Sequence, residues 1–148
     1  MSIQKIIDRK GSRLITIRAE DTLETAAMLL TSNNIGAVPV RDAGGAMVGV
    51  MSERDLVRGY AENGAAVMSF TVQDLMTAEV TSVQPGESVK AAMEKMSKRH
   101  IRHLPVVDEN GALLGMISQR DVMESRLQQT EMETDELRAY AIASGGNL

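Results

Sequence analysis

Gly49-Val50-Met51-Ser52-Glu53-Arg54-Asp55 recurs later in the chain as Gly115-Met116-Ile117-Ser118-Gln119-Arg120-Asp121. The two stretches lie 66 residues apart, and the same offset aligns residues 16–58 with residues 82–124 without a gap. Self-similarity at a fixed period indicates a repeated structural unit. A unit of about 60 residues buries so little surface that it is only marginally stable alone. We therefore expect the two copies to pack together as one compact pseudo-twofold module.

Each copy predicts the same β-α-β-β-α order of elements, so the fold class is α+β with α/β-like units. Apolar residues at helical spacing follow the N-cap candidates Thr22 and Ser88 and predict helices. Short apolar runs that end in Asp- and Gly-rich turns predict strands. We expect helices over residues 23–33 and 89–99, and strands over residues 37–40, 47–51, 104–107 and 113–117. A short strand or extended entry is expected at Thr16-Ile17 and at Ser82-Val83.

The second helix of the second copy is expected to run on from Asp121 to about Ala143, well beyond the repeat. This extension has sparse apolar residues among Glu, Gln and Arg, so it either packs against a partner subunit or lies in solvent. We favour packing against a partner subunit. The sequence ends in a Ser-Gly-Gly-Asn-Leu tail at residues 144–148, which we expect to be flexible.

Charge and composition exclude several broad classes of function. The 148 residues carry 16 Lys and Arg against 20 Asp and Glu, a net charge of −4. This argues against non-specific nucleic-acid binding, which needs cations that neutralise phosphates. No apolar run approaches the roughly 20 residues of a membrane helix, and residues 1–11 lack the apolar core of a signal peptide. We therefore expect a cytoplasmic protein that binds neither nucleic acid nor membrane.

The Ser-x-Arg-Asp sequence at the start of the second helix of each copy is the candidate site. The simplest interpretation is a capping arrangement, in which Ser52 caps the helix and Asp55 complements its dipole. The alternative is an anion site, because a helix start favours phosphate and Arg54 adds a cation that phosphate would compensate. The second copy repeats the set as Ser118, Arg120 and Asp121.

Neither catalysis nor metal binding is expected from the remaining polar residues. A catalytic Ser needs an adjacent base, and Ser52 and Ser118 lack a matched His in their repeats. The sequence contains no Cys, and no carboxylate lies close in sequence to His100 and His103. A metal site needs more ligands than these two imidazoles supply.

The motifs GVMSERD and GMISQRD, each preceded by a Val-Pro-Val or Leu-Pro-Val strand and an Asp/Gly turn, resemble the cystathionine-β-synthase (CBS) domain. The resemblance extends from Leu14 to Glu124, and two copies in one chain resemble a CBS pair of the small stand-alone bacterial type. It implies a first repeat over residues 8–62, a second over residues 72–128, and a C-terminal helix and tail over residues 129–148. It also implies a non-catalytic regulatory module that forms a homodimer and signals to a partner protein.

The resemblance further implies two clefts between the repeats that hold AMP, ADP or ATP and, in some members, NAD(H) or S-adenosylmethionine. It assigns Asp55 and Asp121 to the ribose hydroxyls, the motif serines to ribose or phosphate, and the motif arginines to phosphate. The first strand of each repeat meets the adenine edge, and the following strand entry forms the pocket wall. These two groups comprise Thr16, Ile17, Gly36, Ala37, Val38 and Pro39 in the first repeat, and Thr81, Ser82, Val83, Arg102, His103, Leu104 and Pro105 in the second.

The two sites are predicted to differ in their preference for phosphate. Arg102 stands where the first repeat has Gly36, and Arg99 and His100 lie just before it. We therefore expect the second repeat's site to prefer phosphate, unless these residues form a solvated helix end, which a helix dipole also favours. A second basic pair, Arg9-Lys10, is interpreted as a solvated turn, with contact to a bound phosphate as the alternative.

Overall fold

The computed structural model describes residues 1–11 and 13–145, so the part of the predicted tail at residues 146–148 lies outside the described residues. A 3-10 helix at Gly64–Ser69 joins the two repeats. The helices are α1 (Ile3–Lys10), α2 (Leu23–Asn33), α3 (Glu53–Asn63), α4 (Val72–Leu75), α5 (Val89–Arg99) and α6 (Gln119–Ala143). The strands are β1 (Ile17–Arg18), β2 (Ala37–Arg41), β3 (Met47–Ser52), β4 (His103–Val107) and β5 (Leu113–Ser118).

The two repeats form equivalent antiparallel hairpins, as the sequence pattern predicts. Val40 lies opposite Gly49 in the β2–β3 pair, and Val106 lies opposite Gly115 in the β4–β5 pair. β1 adds a third, parallel strand beside β2 in the first repeat. Its counterpart in the second repeat is a single parallel bridge from Val83 to Val106. The α+β class and the doubled β-α-β-β-α unit are therefore confirmed.

The first helix of each repeat begins and ends in the same way, which fixes where the next strand starts. The N-cap hydroxyl of α2 on Thr22 accepts a hydrogen bond from the backbone N–H of Thr25 at 3.1 Å, and Ser88 caps α5 likewise at 3.0 Å from Ala91. The C-cap residues, Asn34 after α2 and His100 after α5, both have the left-handed conformation. This conformation at a helix end reverses the chain, so both repeats enter their hairpins from the same place.

Each of the two hydrophobic cores includes a short helix that is adjacent in sequence to the other repeat. Ile3 and Ile6 of α1, which precede the first repeat, are buried in the core of the second repeat. Val72 of α4, the first residue of the second repeat, is buried in the core of the first. Backbone hydrogen bonds hold both helices in place, from Ile3 N to Glu87 O at 3.0 Å and from Val72 N to Asp21 O at 2.9 Å. Each repeat thus completes its core with the short helix that lies at the N-terminal end of the other repeat.

α6 confirms the predicted C-terminal helix and starts two residues before Asp121. Its first turns pack on the second repeat, where Val122 and Ser125 are buried. Farther along, its apolar side chains are exposed, and Leu137 keeps 69% of its surface. Among the described residues, α6 and the other helices lack the length and apolarity that crossing a bilayer requires.

Candidate functional site

Both Ser-x-Arg-Asp motifs form capping boxes. Asp55 Oδ2 accepts from the backbone N–H of Ser52 at 2.9 Å, while Ser52 Oγ accepts from the N–H of Asp55 at 3.2 Å. The corresponding distances for Asp121 and Ser118 are 2.8 and 3.1 Å. The capping interpretation of the sequence is therefore confirmed. It leaves the anion-site interpretation open, because each boxed carboxylate also lines a cleft.

Cleft A is the cavity that contains Asp55, and its volume is about 220 Å³. One wall comes from the first repeat, at the entry of β2 and the start of α3. The opposite wall comes from the second repeat, at the entry of β4 and the segment before it. The residues that line it and were predicted from the sequence are Gly36, Ala37, Ser52, Arg54, Asp55, Thr81, Arg102, His103 and Pro105.

Cleft B is the cavity that contains Asp121, and its volume by the same measure is about 610 Å³. It is the pseudo-twofold counterpart of cleft A, because the start of α6 faces the entry of β2 across it. The end of α1 and residues 13–15 close its remaining side. The residues that line it and were predicted from the sequence are Gly36, Ala37, Pro39, His103, Ser118, Arg120 and Asp121.

Six predicted residues line neither cleft in the described part of the chain: Thr16, Ile17, Val38, Ser82, Val83 and Leu104. Four of these six have side chains in the two cores, where Val38 and Leu104 are fully buried. The reason is strand alternation, because successive side chains of a strand point to opposite faces. The flanking residues Ala37, Pro39 and His103 therefore face the clefts.

The structure corrects the predicted grouping of basic residues. The sequence placed Arg102 and His100 in the second repeat's site, with Asp121. Both residues line cleft A, with Asp55 of the first repeat. Because the two hairpins face each other across the pseudo-twofold axis, each cleft combines the helix start of one repeat with the strand entry of the other. Residues of one repeat therefore contribute to both clefts, which the sequence of a single repeat does not reveal.

His103 lines both clefts, as do Gly36 and Ala37. Burial lowers the pKa of the His103 imidazole below its ordinary value, against the opposing influence of Glu53. Gly36 leaves the room that the ring occupies, because a Cβ on Gly36 would lie 2.9 Å from His103 Cε1. The imidazole shared by the two clefts therefore packs against a glycine that has no side chain, and its burial favours the neutral form.

Lys10 contacts the site, although the sequence pattern favoured a solvated turn for it. Its ammonium donates to Asp121 Oδ2 at 2.8 Å and to the carbonyl of Met116 at 2.8 Å. Burial raises the pKa of the Asp121 carboxyl, but hydrogen bonds from Lys10 and Ser118 outweigh it, and the pKa lies below its ordinary value. In the other cleft, Thr77 Oγ1 donates to Asp55 at 3.2 Å.

The described residues contain no group of three or more His, Cys, Asp or Glu side chains that could hold a metal ion. The two clefts instead offer carboxylates, helix N-termini and guanidinium groups beside small apolar wall residues. This combination suits a ligand with hydroxyl groups, an anionic group and a flat apolar ring.

The fold and the doubled site define a CBS pair. The family model described as "CBS domain" matches residues 7–62 and again residues 72–127, and the chain belongs to this family.

Solved structures support the same assignment. The chain is 38% identical to the CBS-domain containing protein ATU1752 from Agrobacterium tumefaciens, with 84% of this chain and 92% of that chain covered at a TM-score of 0.80. It is 28% identical to the CBS domain pair of protein MJ0100, crystallised with 5-methylthioadenosine and S-adenosyl-L-methionine, with 86% and 98% covered at 0.74. It is 25% identical to CBSX2 in complex with AMP, with 87% and 98% covered at 0.73.

The chain spans only part of the first two curated relatives that it matches. It covers 60% of the mitochondrial CBS domain-containing protein CBSX3 of Arabidopsis thaliana, to which it is 34% identical. It covers 26% of an inosine-5'-monophosphate dehydrogenase of Korarchaeum cryptofilum, to which it is 35% identical. The match to the dehydrogenase is thus to a small part of that protein.

Proposed function

We propose that this protein is a non-catalytic regulatory module that binds adenine nucleotides in clefts A and B. The observation that carries the proposal is the doubled placement of a boxed carboxylate, Asp55 or Asp121, at a helix start that opens onto a cleft between the repeats. A carboxylate accepts hydrogen bonds from ribose hydroxyls. The free N–H groups of the helix start, with Arg54 or Arg120 beside them, favour phosphate.

The ligand class follows from the same chemistry and from the neighbours. AMP, ADP and ATP share the ribose and phosphate groups that the clefts suit, and NAD(H) contains the same adenylate part. S-adenosylmethionine keeps the ribose but replaces the phosphate with a cationic group. The complexes of CBSX2 with AMP and of the MJ0100 pair with adenosyl ligands support both kinds of ligand.

Regulation would arise because each cleft is walled by both repeats. A ligand that contacts both walls stabilises one relative placement of the repeats, and only differential binding can shift such an equilibrium. We infer that the output passes to a separate partner protein and that the module works as a homodimer. Val57 and Met123, at matching positions of α3 and α6, are 69% and 63% exposed and support an apolar contact between two copies.

A binding measurement with matched variants tests the proposal. Isothermal titration with AMP, ADP, ATP, NADH and S-adenosylmethionine is compared among the wild type, Asp55→Asn and Asp121→Asn. The control is Asp74→Asn, because Asp74 forms a third capping box with Thr71 that lines neither cleft. We expect binding in the wild type and in the control, and the loss of one site in each of the other two variants.

The rival function is a scaffold that acts through its dimer surface with clefts that no longer bind. The exposed apolar residues of α3 and α6 are the observation in its favour. Thermal stability separates the two functions, because a ligand at a hundredfold excess over Kd stabilises the native state by about 2.7 kcal/mol. The absence of a thermal shift with all five ligands would refute the sensor and favour the scaffold.

A further inference from the structure

Lys10 brings a cation from outside the repeats into cleft B. It is the last residue of α1, and its ammonium lies 2.8 Å from Asp121 Oδ2. The Lys10 side chain is 41% exposed and that of Asp121 is 19% exposed, so the pair sits at the mouth of the cleft. An ammonium has three N–H donors, and Asp121 and the Met116 carbonyl accept two of them.

A neutral residue takes the place of Lys10 in cleft A. Thr77 donates from its backbone N–H to the carbonyl of Val50 at 2.9 Å and from its hydroxyl to Asp55 at 3.2 Å. These are the matching contacts to those of Lys10 with Met116 and Asp121 in cleft B. Glu79 follows two residues after Thr77 and also lines cleft A. The pseudo-twofold symmetry of the clefts is therefore broken, because Lys10 adds a cation to cleft B and Glu79 adds a carboxylate to cleft A.

The net charges of the two cleft linings also differ, and cleft B is the more positive. In cleft A three arginines face three carboxylates, and in cleft B three cations face two carboxylates. The cleft A residues are Arg54, Arg58 and Arg102 against Glu53, Asp55 and Glu79. The cleft B residues are Lys10, Arg13 and Arg120 against Asp121 and Glu124. Cleft B thus carries one more positive charge than negative charge, whereas cleft A is balanced.

We propose that Lys10 and Glu79 set the ligand charge that each cleft accepts. When a ribose occupies Asp121, the Lys10 ammonium donates to the phosphate of that nucleotide, so cleft B selects nucleotides that carry phosphate. Glu79 opposes phosphate in cleft A, which consequently tolerates adenosyl ligands with a neutral or cationic group in its place. This inference rests on the proposed function, because it takes the two aspartates as the ribose acceptors.

The first test isolates cleft B in an Asp55→Asn protein and measures the dissociation constants of AMP and adenosine by titration calorimetry. Into this protein we introduce Lys10→Gln or, as the control, Lys5→Gln, which removes the same charge from an exposed position of α1. We expect Lys10→Gln to weaken AMP binding about tenfold, as the loss of a charged hydrogen bond does. Adenosine affinity should not fall, because adenosine has no phosphate and Asp121 loses a competing partner.

The second test is a gain of function in cleft A, which an impaired fold cannot mimic. An Asp121→Asn protein isolates cleft A, and Glu79→Lys is added to it. We expect the preference for AMP over adenosine to rise about tenfold in this cleft, since the added ammonium forms a charged hydrogen bond to the phosphate.

The outcomes separate this inference from the proposed function. Equal weakening of AMP and adenosine by Lys10→Gln would show that Lys10 only holds α1 in place, and would overturn the inference. An unchanged AMP-to-adenosine ratio in both tests would also overturn it, while binding itself would sustain the proposed function. Absence of binding of either ligand to the wild type would remove the proposed function and this inference together.

Discussion

Replacing Gly49 with Ala tests whether cleft A depends on the close approach of residues 76–77, which follow α4, to the first hairpin. A Cβ on Gly49 would lie 2.6 Å from Met76 Sδ and 2.9 Å from the carbonyl oxygen of Thr77. That carbonyl accepts from the N–H of Val50 at 3.0 Å, so it cannot move away without weakening this pairing. The matching glycine, Gly115, would meet only the terminal Cδ1 of Ile7, at 2.8 Å.

The difference between backbone and side-chain obstruction sets the expected magnitudes. Forcing an extra methyl group into a packed core costs about 1–3 kcal/mol, and we expect Gly49→Ala to cost about 2 kcal/mol within that range. Gly115→Ala should change the free energy of unfolding by less than about 1 kcal/mol, since a terminal methyl rotates away and Ala restricts the unfolded chain. The melting temperature should fall by about 2–4 °C for each kcal/mol lost.

Urea unfolding of the two variants beside the wild type measures both costs. Thr77 also donates a hydrogen bond to Asp55 at 3.2 Å, so Gly49→Ala should additionally weaken AMP binding in cleft A and spare cleft B. Equal losses of stability in Gly49→Ala and Gly115→Ala would refute the argument, because the two sites would then respond to the added methyl group alone.

Three further predictions concern α1, cleft B and the surface of α6. Ile6→Ala should lower the free energy of unfolding by about 3 kcal/mol, as truncation in a core does, and Lys5→Ala should leave it nearly unchanged in the same urea titration. Lys10→Gln should raise the pKa of Asp121, and NMR titration of the carboxyl group measures the shift. In the wild type the lowered pKa of Asp121 stabilises the folded state above the pKa of the unfolded chain, and this stabilisation is lost as pH falls through the native pKa. Leu127→Glu, at a side chain that is 60% exposed, should turn the proposed dimer into monomers, which light scattering would detect.

The elements inside each repeat could be predicted from the sequence because their signals are local. Apolar residues at helical spacing behind an N-cap predicted α2 and α5, and both helices have the predicted bounds, residues 23–33 and 89–99. The hairpin strands differ from the prediction by one residue at most. The repeat supported each assignment twice, since the same residues at an offset of 66 must form the same element.

The relation between the repeats could not be predicted in the same way, because it depends on contacts distant in sequence. Arg102 lies in the same cleft as Asp55 because the two hairpins face each other. The contact of Lys10 with Asp121 spans 111 residues. At the repeat offset of 66 residues Lys10 aligns with Met76, so a gap-free comparison of the repeats does not align it with Thr77, which makes the matching contacts in cleft A.

The exchanged helices explain how one motif can give two clefts with different chemistry. The motif residues are under the same local constraint in both copies, since Ser and Asp must form a capping box for the helix to start. The segments that end beside the clefts carry no such constraint beyond the apolar residues that anchor them, such as Ile6 and Val72. Lys10 and Glu79, which follow these anchors, can therefore change charge without cost to either core. Under the proposed function, a change at Lys10 or Glu79 would alter the ligand charge that a cleft accepts, while Asp55 and Asp121 would keep the ribose contact.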